Sequence, residues 1–221
     1  MHLKRNTFLT LIGLGLAAQA QANLLTNGSF EQGVLVAGPG GYALVAQGST
    51  NITGWTITHG LPLGYVGSPN TTALTASDGS RFLDLTGESQ NVNERAWIQQ
   101  SVATVVGGVY QLSFDLGSSA QYGLPAEIDV STAASLPVQS FISTSSGLNV
   151  WQHEVMRFVA VDTQTTLVLA GSHGQSYIGL DNVALDVISL PPPVPEPAVW
   201  ALWVSGLLVL LRLDAQRRVK L

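Results

Sequence analysis

The chain has 221 residues, a formal net charge of −5 and no cysteine, and charged residues make up 10% of it, against about 25% in an average globular chain. The missing cysteines exclude a disulfide framework, a thiolate nucleophile and a Cys-ligated metal. Six of the nine basic residues sit near the ends, at Lys4, Arg5, Arg212, Arg217, Arg218 and Lys220, so residues 23–190 hold three arginines against twelve acidic residues, a net of −9; a nucleic-acid backbone is excluded as partner.

Residues 1–22 read as a secretory signal helix. Lys4 and Arg5 give the positive start, an uncharged apolar run follows, and Ala20-Gln21-Ala22 is a small-residue cleavage pattern. The expectation is passage through the secretion machinery, cutting by a signal peptidase, and a mature domain over residues 23–190.

Within that domain, runs rich in Val, Ile, Thr and aromatics recur between Gly, Ser, Asn and Pro clusters, and no helical period is sustained. Strands are predicted at 52–58, 81–85, 96–102, 109–116, 126–131, 138–142, 150–161, 165–170 and 177–188. Nine short strands with turn-like separators indicate an all-β sandwich. Residues 34–49 are a Gly-rich insertion without a legible pattern. Alternation in Tyr110-Gln111-Leu112-Ser113-Phe114-Asp115-Leu116 puts Tyr110, Leu112, Phe114 and Leu116 on one face and leaves the other wet. Gly107-Gly108 supplies the positive-φ freedom of a hairpin or bulge. The continuous Leu167-Val168-Leu169 run predicts a strand at the centre of the sandwich or covered on both sides.

After residue 190 come a Pro-rich spacer, residues 191–197, and a hydrophobic helix with a basic tail, residues 198–221. Fourteen uncharged residues at 198–211 give a helix of about 21 Å, short of a bilayer core of about 30 Å unless neighbouring residues extend it. Pro195, Glu196 and Pro197, the apolar run and the stop made by Arg217 and Arg218 together resemble the PEP-CTERM sorting signal. That resemblance implies transient membrane anchoring, recognition by an exosortase-type protease and delivery to the cell surface or extracellular matrix. A permanent single-span anchor is the alternative.

Six blocks, in order, resemble the secreted domain-of-unknown-function 642 family: Asn23-Leu24-Leu25-Thr26-Asn27-Gly28-Ser29-Phe30-Glu31, Gly54-Trp55, Ala76-Ser77-Asp78-Gly79-Ser80-Arg81-Phe82-Leu83-Asp84-Leu85-Thr86-Gly87, Ile98-Gln99-Gln100-Ser101-Val102, Gly108-Val109-Tyr110-Gln111-Leu112-Ser113-Phe114-Asp115-Leu116 and Gly179-Leu180-Asp181-Asn182-Val183. The resemblance implies a galactose-binding-like jelly-roll β-sandwich without catalytic machinery. The chain departs from it at residues 61–74, which are longer and richer in Pro and Asn. In such jelly rolls the first and last strands lie side by side and a structural calcium ion can be held there. On this sequence the metal ligands would be Glu31 and Asp181, with carbonyls and water completing the six to eight oxygens the ion needs. Equally open is that both carboxylates bond backbone N–H groups at strand ends.

Polysaccharide binding needs an aromatic platform flanked by polar groups. Trp55, Tyr65, Trp97, Tyr122 and Trp151 are the candidates, and Tyr65 and Tyr122 are preferred because they fall in Gly- and Pro-containing segments. Glu127 and Asp129 share a strand face at about 6.5–7 Å, the low end of inverting-glycosidase spacing. His153-Glu154 opens an H-E-x-x-H lookalike, but Arg157 stands in place of the second histidine. The expected function is therefore that of an exported, non-catalytic surface or matrix protein that binds extracellular polysaccharide. A structural or adhesion component that binds protein partners is the alternative, and a cryptic glycosidase a third.

Overall fold

A computed structural model describes residues 23–71, 74–87, 95–121, 125–132, 138–172, 177–192, 203, 205–210 and 212. The chain divides into two compact units, Met1–Ser189 and Leu190–Leu221. In the second, Trp203, residues 205–210 and Arg212 have helical backbone. No helix among the described residues is long and apolar enough to cross a membrane. The predicted signal helix, Pro195, Glu196, Pro197, Arg217 and Arg218 all lie outside the described residues.

The first unit is an all-β sandwich of two antiparallel sheets. Its strands are β1 (Tyr42–Val45), β2 (Thr56–His59), β3 (Leu63–Gly67), β4 (Arg81–Asp84), β5 (Trp97–Ala103), β6 (Val109–Ser118), β7 (Ala126–Ser131), β8 (Gln139–Ser143), β9 (Val150–Val159), β10 (Gln164–Gly171) and β11 (Gly179–Ser189). One sheet has the order β1-β3-β4-β11-β6-β9, the other β2-β5-β10-β7-β8. The core between them is one cluster that includes Phe114, Leu116 and Leu185 from the first sheet and Ile98, Ile128 and Leu167 from the second. With no cysteine in the chain, burial of this apolar cluster is what holds the two sheets together.

All nine predicted strand regions contain a strand. The two further strands explain what the pattern hid. In β3, Leu63, Gly64, Tyr65, Val66 and Gly67 are all buried, so there is no alternation to read, and its glycines look like loop. β1 comes from the Gly-rich insertion and pairs with β3 from Tyr42↔Val66 to Val45↔Leu63. Gly107, with φ of +80°, turns the chain from β5 in one sheet to β6 in the other rather than closing a hairpin. β10 is the central strand of the five-stranded sheet, with Leu167 and Leu169 in the core and Val168 facing outward.

The N-terminal segment runs beside β11. Leu24 N–H donates to Leu185 O at 2.9 Å and Val183 N–H to Gly28 O at 2.9 Å. Gly28 is required there, because a Cβ would stand 1.8 Å from Val183 O. Gln100, though on an inward position of β5, accepts from Thr26 N–H at 2.7 Å and donates to Thr26 O at 3.0 Å. A buried amide thus satisfies the backbone that an adjacent strand would otherwise pair.

The outer faces of the two sheets differ. Residues 74–80 form a strap over the six-stranded sheet, so the outward face of β6 is wet only in its first half. Leu74, Val66 and Phe82 make a second small core with Trp151 packed on it. The Trp151 ring lies over Gly117 and Gly179, where a Cβ would come within 2.7 and 2.9 Å of it, and its Nε1–H donates to Thr75 O at 2.8 Å. The outer face of the five-stranded sheet carries no such cover among the described residues.

Candidate ligand-binding face

In β5, Ile98, Gln100 and Val102 point inward, so the period of two puts Trp97, Gln99 and Ser101 on the outer face. In β10, Leu167 and Leu169 are inward and Thr166 and Val168 outward. The register then fixes rows across the sheet: Trp97 opposite Ala170 opposite Asp129, Gln99 opposite Val168 opposite Ser131, and Ser101 opposite Thr166. Ser101 Oγ and Thr166 Oγ1 are hydrogen-bonded at 2.7 Å.

Trp97 is 40% exposed. The His59 ring from β2 leans against it, centroids 4.6 Å apart and planes at 46°, brought there by a register irregularity between Ile57 and His59. The pair stands at one end of a cleft of about 920 Å³ that runs along β5 and β10 past Gln99, Val168 and Thr166 to Gln164 and Asp162, with Val138 and Val161 on its rim. This is a mixed surface: a flat apolar ring for C–H faces, and amide and hydroxyl groups that fix orientation.

The residues singled out from sequence fall elsewhere. Tyr65 is fully buried. Its hydroxyl donates to Phe30 O and accepts from Arg81 Nη1 at 2.9 Å, so the ring offers no face to a sugar and the expectation of a platform there is corrected. Tyr65 sits in a buried strand rather than in the exposed loop its glycines suggested. Tyr122 lies outside the described residues. Trp55 is buried and donates to Asn27 O at 2.9 Å, and Trp151 is held under the strap. Trp97 alone of the five, among the described residues, is an exposed ring. Glu127 and Asp129 do share the outer face of β7, where Asp129 accepts from Ser140 Oγ.

Glu31 and Asp181 reach the same segment from two sides. Glu31 Oε1 accepts from Ser80 and Arg81 N–H at 2.7 Å each, and Oε2 accepts from Ser80 Oγ at 2.8 Å. Gly79, with φ of +67°, makes this tight turn. Asp181 is fully buried. Its Oδ2 accepts from Ser77 N–H at 2.8 Å and Asp78 N–H at 3.0 Å, and its Oδ1 from Asn182 N–H at 2.7 Å. Opposite it in register, Asp115 accepts from Ser77 Oγ at 2.8 Å and pairs with His153 Nδ1 at 2.7 Å. A nest of N–H donors complements a carboxylate and opposes a cation. Among the described residues no group of three or more His, Asp or Glu side chains is arranged to hold a metal ion; as placed, Glu31 and Asp181 act as acceptors that hold the turn at residues 77–81. Burial pushes the Asp181 carboxyl up to about 7, against the lowering effect of its backbone donors. Burial likewise raises Asp84 and lowers the neighbouring Arg95 guanidinium.

No curated protein matches this chain. Among solved structures, TmCBM61 in complex with β-1,4-galactotriose is 20% identical, with a TM-score of 0.41, over 75% of this chain and 99% of that one. The CBM22-1 xylan-binding domain of Xyn10C from Paenibacillus barcinonensis is 15% identical, with a TM-score of 0.44, over 72% and 97%. A carbohydrate-binding module described as CBM4 is 14% identical, with a TM-score of 0.38, over 74% and 99%. The family model described as protein of unknown function (DUF642) matches residues 23–185, most of the chain and all eleven strands but for the end of β11. The chain belongs to the DUF642 family.

Proposed function

We propose that this is an exported, non-catalytic protein that binds extracellular polysaccharide through the outer face of its five-stranded sheet. The observation that carries the reading is the exposed Trp97 ring, braced by His59 at the end of a long cleft whose floor is amide, hydroxyl and valine. A core tryptophan would be covered by apolar side chains; this one lies on the side of the sheet that the described residues leave uncovered, and the inward face is complete without it. The signal-like residues 1–22 and the PEP-CTERM-like sequence from Pro195 to the basic tail support export, transient anchoring and sorting to the cell surface or matrix.

The test is binding of the purified full chain to extracellular polysaccharide, compared with Trp97→Ala. Removing the ring is expected to weaken binding about tenfold or more, the usual weight of an aromatic anchor, while thermal stability shifts by about 1 kcal/mol or less, as for an exposed site. Unchanged binding in the variant would dispose of this assignment.

A further inference from the structure

We infer that the cleft takes an internal stretch of an uncharged polysaccharide, lying along β5 and β10, and excludes uronate- and sulfate-bearing chains. The inference rests on the polysaccharide reading above and names the ligand class of the same site.

Length comes first. The cleft extends from Trp97, paired with Ala170, to Gln164, paired with Ala103. Six residue steps at the usual strand rise give about 20 Å, room for several sugar rings in a line rather than one in a pocket. Its lining runs along the strands instead of closing around one point, so several consecutive units can lie in it and no terminal unit need be recognised. The Trp97 and His59 rings offer stacking at one end, and Gln99, Thr166 and Gln164 supply hydroxyl-matching groups further along.

Charge then selects the ligand. An anionic sugar polymer needs guanidinium or ammonium partners, and residues 23–190 contain only Arg81, Arg95 and Arg157. All three are committed elsewhere. Arg81 on β4 bonds Tyr65 Oη at 2.9 Å, and Arg157 on β9 bonds Gln111 Oε1 at 3.0 Å, both in the six-stranded sheet; Arg95 is buried, bonding Thr86 O at 2.8 Å. The face carries instead Glu127 and Asp129 on β7, with Asp162 at the far end of the cleft. A polyuronate laid along it would meet like charge with no guanidinium or ammonium group in the lining to offset it, a penalty of the kind that sets specificity by exclusion.

The experiment measures binding of the full chain to a neutral β-linked hexan and to polygalacturonate, each at low and at 0.5 M salt, for wild type and Trp97→Ala. The expected result is Trp97-dependent, nearly salt-independent binding of the neutral polymer. Polygalacturonate should bind at least about tenfold more weakly at low salt, the gap narrowing as salt shortens the Debye length to below about 10 Å. Trp97-dependent binding of polygalacturonate as tight as that of the neutral polymer would overturn the inference and leave the polysaccharide reading standing. Neutral-polymer binding that Trp97→Ala leaves intact, or no binding of either polymer, would overturn both.

Discussion

Asp181 shows how one buried side chain links chain ends, strap and pH. It sits at a bulge of β11, followed by Asn182 with φ of +50°, and its oxygens hold the N–H groups of Ser77 and Asp78. Burial raises its carboxyl from 3.8 to about 7, so the folded state binds this proton more tightly than the unfolded chain does. The stability gained by binding it is complete below about pH 3.8 and is lost as pH rises to about 7. Asp181→Asn removes that dependence. The stability of wild type minus that of Asp181→Asn should therefore fall between about pH 4 and pH 7, by on the order of a few kcal/mol, and stay flat above. Denaturant titrations of both proteins across this range would show it; a difference independent of pH would mean that Asp181 titrates normally. The sequence displayed an acid in an apolar strand but not its partners, because Ser77 lies more than a hundred residues away and the contact is made by backbone.

At the scale of elements, the two sheets share a pattern but have different outer faces. Alternation in β6 predicted its core side correctly and its other side only in part: Gln111 and Ser113 are half-buried, whereas Asp115 and Gly117 lie under the strap. Only the first residue of the strap, Leu74, belongs to the stretch that departs from the family pattern, whereas Ala76 to Ser80 open a block that follows it; Leu74, an unremarkable residue in a Pro- and Asn-rich run, is fully buried. Leu74→Ala should cost about 2–3 kcal/mol, as for other buried leucines. It should also speed amide exchange at Ser77 and Asp78 more than in β5 or β10, since local opening needs less free energy than global unfolding. Uniform acceleration would show that the strap does not open on its own. Trp97 was legible in principle. Inward Ile98 and Val102 place it outside, but the inward Gln100 breaks the hydrophobic alternation that would have made this plain. Tyr65 misled for the converse reason, since a strand buried on both faces and flanked by glycine resembles a loop.

For the whole molecule, charge is unevenly placed along the chain. The basic residues of the ends frame a domain of net −9 whose three arginines all lie away from the cleft. An exported chain processed at its C-terminus would lose Arg212 to Lys220 and leave the acidic sandwich. Intact mass of protein recovered from the cell surface should end near Pro195 to Pro197, whereas a mass retaining residues 200–221 would identify a permanent anchor. Sheet order was not legible from sequence, because pairing such as β4 with β11 depends on contacts across about a hundred residues, while the sandwich class followed from short strands and turn chemistry alone.

The proposed ligand surface is the outer face of the five-stranded sheet, which the described residues leave uncovered. Backbone amide chemical shifts, followed while a neutral oligosaccharide is titrated into the isotopically labelled protein, test it residue by residue. The largest changes are expected at Trp97, Gln99 and Ser101 of β5, at Gln164, Thr166 and Val168 of β10, and at the Trp97 indole N–H, with the strap and β11 unmoved. Changes concentrated instead in residues 74–80, β3 or β4 would place the ligand on the other sheet and contradict it.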